Sequence, residues 1–415
     1  MPAAQDERPA RLGWLDALRG IAALVVAFHH SSFHFMPEFR RMMLNRFDAG
    51  AFGVMVFFLV SGYIIPASLE RKGSIGGFWL SRAFRIYPLW CASVTAVILF
   101  SVTGLKPLRG DLTRQEPATA VLGHATMLQD LLAVPNMINV LWTLSYEMSF
   151  YLLVVALFGL RLHRHSSKVA LGLAGCAVAL GGLLPMTVLS RTAGTDLVVI
   201  LVTALMAAAI GCSVTGRPVL RTCGAVAGGA LALVLVTVNG RIGPWEGLSI
   251  LAVMFTGTAL YRAERGQLGH RTAGVTAAVV LAALLGSGLW HGDPDARLGW
   301  ATAVTLAAVT FAVGLALRHR RIPWLLTALG VISYSIYLLH PVLLMVTDGT
   351  IGRWKTDNPV VELGFLAMLL PVCWATHRLV EAPAQRWGRR LGNQRPRLNR
   401  LDRLATVPAG RGEGP

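Results

Sequence analysis

The sequence predicts an all-α fold, a polytopic transmembrane helical bundle of about 10–12 spanning helices with both termini in the cytoplasm. Three observations carry that prediction. The 415 residues are 54% hydrophobic and only 14% charged, with a mean hydropathy of +0.57. A soluble domain carries roughly 25% charged residues, so this chain has too few to cover a water-facing surface. Apolar runs of membrane-spanning length recur along most of the chain, and basic residues collect in alternate loops between them. Together these exclude a secreted disulfide scaffold, a disordered chain and an ordinary soluble enzyme. The formal charge of +17 reads as basic loops facing anionic lipid rather than as a nucleic-acid surface, because no nucleic-acid-binding motif accompanies it.

A spanning helix needs about 20 mostly apolar residues. The runs that qualify are 13–35, 49–69, 84–104, 138–160, 168–190, 196–215, 222–239, 245–261, 273–290, 298–317, 325–347 and 359–380, of which 222–239 and 245–261 are the weakest. The stretch 112–134 is moderately apolar but interrupted by Pro117 and followed by Pro135, which fits an interfacial or re-entrant segment. Residues 1–11 are a polar cytoplasmic N-terminus with no small-residue cleavage site behind a short apolar region, so no removable signal peptide is expected. Residues 12–382 form the transmembrane domain. Residues 383–415 are rich in Arg, Pro and Gly and read as a basic, disordered cytoplasmic tail.

Orientation comes from the loops. With the N-terminus inside, Arg71, Lys72, Arg161, Arg164, Lys168, Arg217, Arg221, Arg262, Arg265, Arg271, Arg318, Arg320, Arg321 and the basic C-terminus all fall on the cytoplasmic side and outnumber the basic residues opposite. The five cysteines sit in or beside apolar runs without a C-x-x-C spacing, so they read as small packing residues and no metal site is expected. Trp14, Trp79 and Trp324, near span ends, read as an interfacial belt.

Ionisable groups inside spans are costly and point to function. The first span carries Asp16, Arg19, His29 and His30, the third begins with Arg82 and Arg85, the fourth carries Glu147 and the eleventh carries His340. A rise of about 1.5 Å per residue places His30, Glu147 and His340 at a similar level, roughly 8–13 Å from the outer end. Arg19, Arg82 and Arg85 fall near the cytoplasmic side. Arg19 and His30 are eleven residues apart, close to three turns, and share a helix face. The pattern is a pore-like interior with basic groups at one mouth and an acid–base cluster deeper in.

The same segments carry a family resemblance. Arg19 to His30 resembles the Arg-x10-His pattern of the acyltransferase 3 family of integral-membrane O-acyltransferases. The phrase FFLVSGYII, with Ser61, Gly62 and Tyr63, resembles its second-helix motif. Arg82-Ala83-Phe84-Arg85-Ile86-Tyr87-Pro88 resembles its Arg-x-x-Arg block, LWTLSYEMSFY its Trp-x-Leu-x-x-Glu segment, and YSIYLLHP its late helix ending in His-Pro. The five phrases occur in order over about 12–382. The resemblance implies transfer of an acetyl or other short acyl group from acyl-CoA to a hydroxyl of a glycan, glycolipid or macrolide-type natural product, by a multi-pass protein of the cell membrane.

The residues suit that reaction. A hydroxyl nucleophile needs a general base, and histidine has the side-chain pKa nearest neutrality. His30 is the first choice. Glu147 is expected to orient an imidazole and stabilise the imidazolium, with His30 as its partner on depth alone and His340 as the other candidate. Arg82 and Arg85 suit the phosphates of coenzyme A, since guanidinium binds phosphate as a fixed fork, and Arg19 joins them at the cytoplasmic mouth. Ser61, Tyr63 and Trp142 are candidates to line the donor tunnel or hydrogen-bond the thioester oxygen. Each has a plainer reading. Arg82 and Arg85 also suit helix anchors, His340 also suits the carbonyl freed by Pro341, His29 suits packing, and Asp16 suits a structural partner for Arg19. The rival function is a proton-coupled secondary transporter with an intramembrane His/Glu relay. It calls for symmetry between halves, whereas the charged motifs crowd into 12–151 and recur only at 325–347. A third reading is a non-catalytic assembly partner. Neither the acceptor nor the acyl chain length is written in these motifs.

Overall fold

The computed structural model describes residues 12–392. Among them there is no strand. The chain opens with α1 (Gly13–Phe35), a short α2 (Pro37–Leu44), α3 (Ala49–Lys72) and α4 (Ile75–Val102). A folded connection containing α5 (Pro117–Ala125) leads to α6 (Trp142–Gly159), α7 (Ser166–Leu180), the short α8 (Val188–Ala193), α9 (Thr195–Ser213) and α10 (Pro218–Val238). Then come α11 (Pro244–Glu264), α12 (His270–His291), α13 (Arg297–Ala316), α14 (Trp324–Val331), α15 (Ser333–Thr350) and α16 (Pro359–Thr376).

Eight of these helical runs are long and apolar enough to cross a membrane. The pair α14 and α15, bent by 63° at their junction, makes a ninth. The chain is a multi-pass membrane protein. Helices α1, α7 and α11 run with the others where the sequence places spans, but α7 has only 15 residues and α1 and α11 carry the charged groups that lower their hydropathy. Those charges are tolerable because both helices are surrounded by protein: α1 packs on α3, α14, α15 and α16, and α11 on α3, α7 and α12. The two weakest stretches in the sequence, 222–239 and 245–261, are both helical, apart from the last residue of the first.

Caps explain several boundaries. The Asp48 carboxylate accepts from Ala51 N–H (3.0 Å), Ser74 Oγ from Gly77 N–H (3.2 Å) and Asn358 Oδ1 from Val361 N–H (3.1 Å). The Ser74 cap starts α4 nine residues before the apolar run that marked the third span, so Arg82 and Arg85 lie inside the helix rather than at its entrance. At the other end, a π-helical turn at His377–Glu381 comes after α16, and the helix continues to Gly392. The part of the expected tail from Pro383 to Gly392 is therefore helical. Residues 393–415 and the 1–11 segment lie outside the described residues.

The connection between α4 and α6 is the segment read as interfacial or re-entrant. From Thr126 to Ile138 its backbone is irregular and largely buried, so the polar groups there must be paired internally. Gln129 Nε2 donates to Asn136 Oδ1 (3.1 Å) and Leu141 O (2.8 Å), and Asn136 Nδ2 donates to Asp130 Oδ1 (3.1 Å). His124 takes Met137 N–H on Nε2 (3.0 Å), and Asn239 Nδ2 reaches across from the end of α10 to Leu131 O (2.9 Å). This polar clasp holds the N-terminus of α6 in place, and with it Thr143 and Glu147.

The tightest helix crossing is α3 on α11. A Cβ on Gly62 would lie 1.8 Å from Met254 O, and one on Gly257 would lie 2.3 Å from Leu59 O. The two backbones therefore touch at facing glycines, as small residues allow in membranes. Thr258 Oγ1 adds a hydrogen bond to Gly62 O (2.8 Å). Tyr63 is 2% exposed and packs against Trp14, Tyr261 and Phe311. It is core, not tunnel wall. Trp14 is equally buried in the same cluster, which corrects its reading as a belt residue, whereas Trp324 is 72% exposed.

Candidate functional site

Two cavities meet inside the bundle. The inner one has an empty volume of about 800 Å³ and is lined by α1, α3, α4, α6 and α15. Its polar groups are Arg19, Ser61, Arg82, Arg85, Thr143 and Glu147, with Tyr334 and Tyr337 forming one wall. The outer one is an open cleft of about 1670 Å³ at the end of the bundle where α1 begins. Arg19, Arg85 and Tyr334 line both, so they form the neck between cleft and cavity. The lining of the inner cavity, an apolar wall with a few converging polar groups, is that of a small-molecule site.

Helix geometry puts these side chains there. Arg82 and Arg85 are three residues apart on one face of α4. Arg82 is 8% exposed, donates to Ser68 Oγ (3.2 Å), and lies over the rings of Phe78 and Tyr151 at 5.4 and 5.6 Å. Its charge is thus carried by a hydroxyl and two π-faces rather than by a carboxylate. Thr143 and Glu147 are four residues apart on α6 and look into the same space. Tyr334 and Tyr337 are three apart on α15. Tyr334 OH donates to Ile86 O (2.9 Å), and Tyr337 OH pairs with Thr143 Oγ1 (2.8 Å).

Beyond Tyr337 sits an imidazole pair. The Tyr337 and His340 rings are 6.2 Å apart, and Nε2 of His340 lies 3.1 Å from Nδ1 of His30. His340 is wholly buried. The carbonyls around them set the tautomers. His340 Nδ1–H donates to Ile336 O (2.9 Å), and His30 Nδ1–H to Val26 O (3.0 Å), each four residues back on its own helix. The Nε2 of neutral His340 is then bare and can share the proton on His30 Nδ1. His30 is left with Nε2 as its acceptor nitrogen.

Of the residues expected to form the site, the structure brings Arg19, Ser61, Arg82, Arg85 and Glu147 to one cavity, and His30 and His340 to each other. Glu147 is not the imidazole partner that depth alone suggested. Its Oε1 accepts from Tyr151 OH, and it faces the arginines. Depth fixes the level along a helix but not the direction a side chain takes around it. Tyr63 and Trp142 stay outside the cavity lining; Trp142 packs edge-on against Phe58 and Tyr146. His29 is structural: its Nδ1 accepts from Gly50 N–H (3.0 Å), joining α1 to α3. Asp16 lines the cleft beside Arg19. Thr143, Tyr334 and Tyr337 escape the sequence reading, although Thr143, four residues before Glu147, and Tyr337, three before His340, share the faces of those two residues.

A family model described as an acyltransferase domain matches residues 12–378. The chain belongs to the acyltransferase 3 family. It is 31% identical over 154 residues to the acyltransferase MdmB of Streptomyces mycarofaciens, covering 35% of this chain and 38% of that protein. It is 28% identical over 152 residues to the peptidoglycan O-acetyltransferase OatA of Listeria monocytogenes, covering 34% of this chain and 23% of that one. Nodulation protein 10 of Rhizobium leguminosarum is 28% identical over 152 residues, 33% of this chain and 41% of its own length. The aligned region therefore spans less than half of each relative. No solved structure is a significant match.

Proposed function

We propose that this protein is an O-acyltransferase of the cell membrane. In this reading it moves an acetyl or other short acyl group from acyl-CoA to a hydroxyl of a glycan, glycolipid or macrolide-type natural product. The observation that carries the reading is the lining that the two cavities share. An arginine-lined cleft shares Arg19, Arg85 and Tyr334 with an inner cavity, and Tyr337 in the wall of that cavity adjoins the paired imidazoles. A thioester on a long phosphorylated carrier has that shape. In this reading the cleft end faces the cytoplasm, which the excess of basic residues in the loops on that side supports. Glycan acceptors are supported by the name of the Listeria relative.

The steps rest on the geometry. Arg19, Arg82 and Arg85 hold the carrier's phosphates by charge-assisted hydrogen bonds. Glu147, held by Tyr151, supplies the negative charge beside the three arginines of the cavity. His30 Nε2 takes the acceptor hydroxyl proton as the oxygen attacks the thioester carbonyl. The new imidazolium donates its Nδ1–H to His340 Nε2, whose own proton is fixed on Ile336 O. His340 thus takes the orienting place that a carboxylate fills in a triad. The C–S bond breaks, and the proton passes from His30 to the leaving thiolate, giving the ester and coenzyme A thiol.

The test is thiol release from acetyl-CoA by purified protein in detergent, with and without pools of glycan and macrolide acceptors. Release stimulated by one pool, lost in His30→Ala and weakened at low donor concentration in Arg85→Ala, is the expected result. Wild type that neither binds nor consumes acetyl-CoA overturns it.

A further inference from the structure

The helix beyond the π turn has no role in the acyl-transfer steps, yet it forms one side of the cleft. Ala382, Gln385, Arg386 and Arg389 all line it. Their spacing of three, four and seven residues puts them on a single helical face. Two contacts hold that helix against α15 and α4. Glu381, 3% exposed, accepts from Ser335 Oγ on α15. Gly388 is pressed on α4, where a Cβ would lie 2.7 Å from Phe84 Cβ, one residue from Arg85.

The π turn explains the alignment. The inward stripe of α16 is Glu362, Phe365, Leu369 and Cys373. One extra residue in a turn rotates the rest of the helix by about 100°, so the segment after Glu381 offers a different face from the one a regular helix would. The Nε of Arg386 donates back to Ala382 O (3.2 Å), which steadies the guanidinium on the cleft side. Among the described residues, neither Arg386 nor Arg389 forms an ion pair with a carboxylate.

We infer that Arg386 and Arg389 form a second phosphate site, distinct from the arginines at the neck, that reads the 3′-phosphate of the coenzyme A nucleotide. The inference rests on the acyl-CoA reading of the cavities and deepens it. A diphosphate bound at Arg19 and Arg85 leaves the ribose end of the carrier in the open cleft, where this helix face is the wall it meets. The helix is then a specificity device, separating coenzyme A from carriers that lack the 3′-phosphate.

Calorimetric titration of the full-length protein in detergent with coenzyme A and with 3′-dephospho-coenzyme A tests this. Wild type is expected to bind coenzyme A roughly 10- to 100-fold more tightly. The double variant Arg386→Ala/Arg389→Ala is expected to bind both equally, at the wild-type affinity for the dephosphorylated form. Arg390→Ala, the same charge change on the same helix outside the cleft lining, is expected to keep the preference. Equal binding of both ligands by wild type, or a preference retained in the double variant, overturns the second phosphate site while leaving the donor assignment intact; the arginines would then serve lipid headgroups. Binding of neither ligand by wild type overturns the donor assignment, and this site with it.

Discussion

His340 Nε2 lies 3.1 Å from His30 Nδ1, although the two residues are 310 positions apart in the chain. Each imidazole is fixed by a carbonyl of its own helix, so the pair has one proton arrangement when neutral. The two substitutions are expected to differ in size. His30→Ala removes the proton acceptor and should lower acyl transfer by about 10²–10⁴-fold. His340→Gln leaves the base but not its partner and should cause a smaller loss, with donor affinity unchanged. Turnover and donor titration on both variants separate the roles. Equal losses would mean that the two rings share the proton chemistry.

Arg82 tests whether the buried guanidinium is held by shape or by charge. Lysine keeps the charge but loses the planar surface over Phe78 and Tyr151 and the fixed fork that grips a phosphate at two points. Arg82→Lys is expected to weaken donor binding about tenfold and to lower the melting temperature, since each cation–π contact contributes about 0.5–2 kcal/mol. A variant with native melting temperature and native donor affinity would show that charge alone suffices.

Gly62 makes a prediction about stability rather than chemistry. Even one methyl group would lie 1.8 Å from Met254 O, so α3 and α11 must separate in Gly62→Ala. Overpacking of this kind costs about 1–3 kcal/mol. Thermal unfolding of the purified variant should show the loss. Any activity that remains should have the wild-type donor dependence, because Gly62 itself faces away from the cavity.

Asp130 supplies a pH dependence in the polar clasp before α6. Burial pushes its carboxyl up to about 6 from an ordinary 3.8, and its Oδ2 has no hydrogen-bond partner among the described residues. The folded state therefore holds this proton more tightly than the unfolded state. Its contribution to stability is full below about pH 4 and is lost as pH rises toward 6 and above. The melting temperature should fall between pH 5 and pH 7.5, and Asp130→Asn should flatten that slope. An unchanged slope would place the titration elsewhere.

The parts of the site legible in the sequence are those that a helix repeat or a charged residue in an apolar run makes visible. Arg19, Arg85, His30 and His340 stand out against their spans, and each lies where its spacing puts it. Glu147 stands out as clearly, but its depth points to the wrong neighbours. Composition shows that a carboxylate is buried; only the packing of α6 against α4 shows that it turns to the arginines. Gly62 and Tyr63 belong to the same short phrase as Ser61, yet only Ser61 reaches the cavity, because three consecutive residues of a helix point three ways. Arg386 and Arg389 are invisible as site residues because an Arg-rich stretch without apolar period looks like a tail. Gly388, which docks that stretch on Phe84, gives no signal of its own in the sequence.

The shared lining of cleft and cavity has a mechanical consequence. Arg19, Arg85 and Tyr334 are a hinge post common to both spaces. A change of side chain at any of the three therefore reshapes both spaces at once, whereas a change at Thr143 or at Arg386 touches one of them alone.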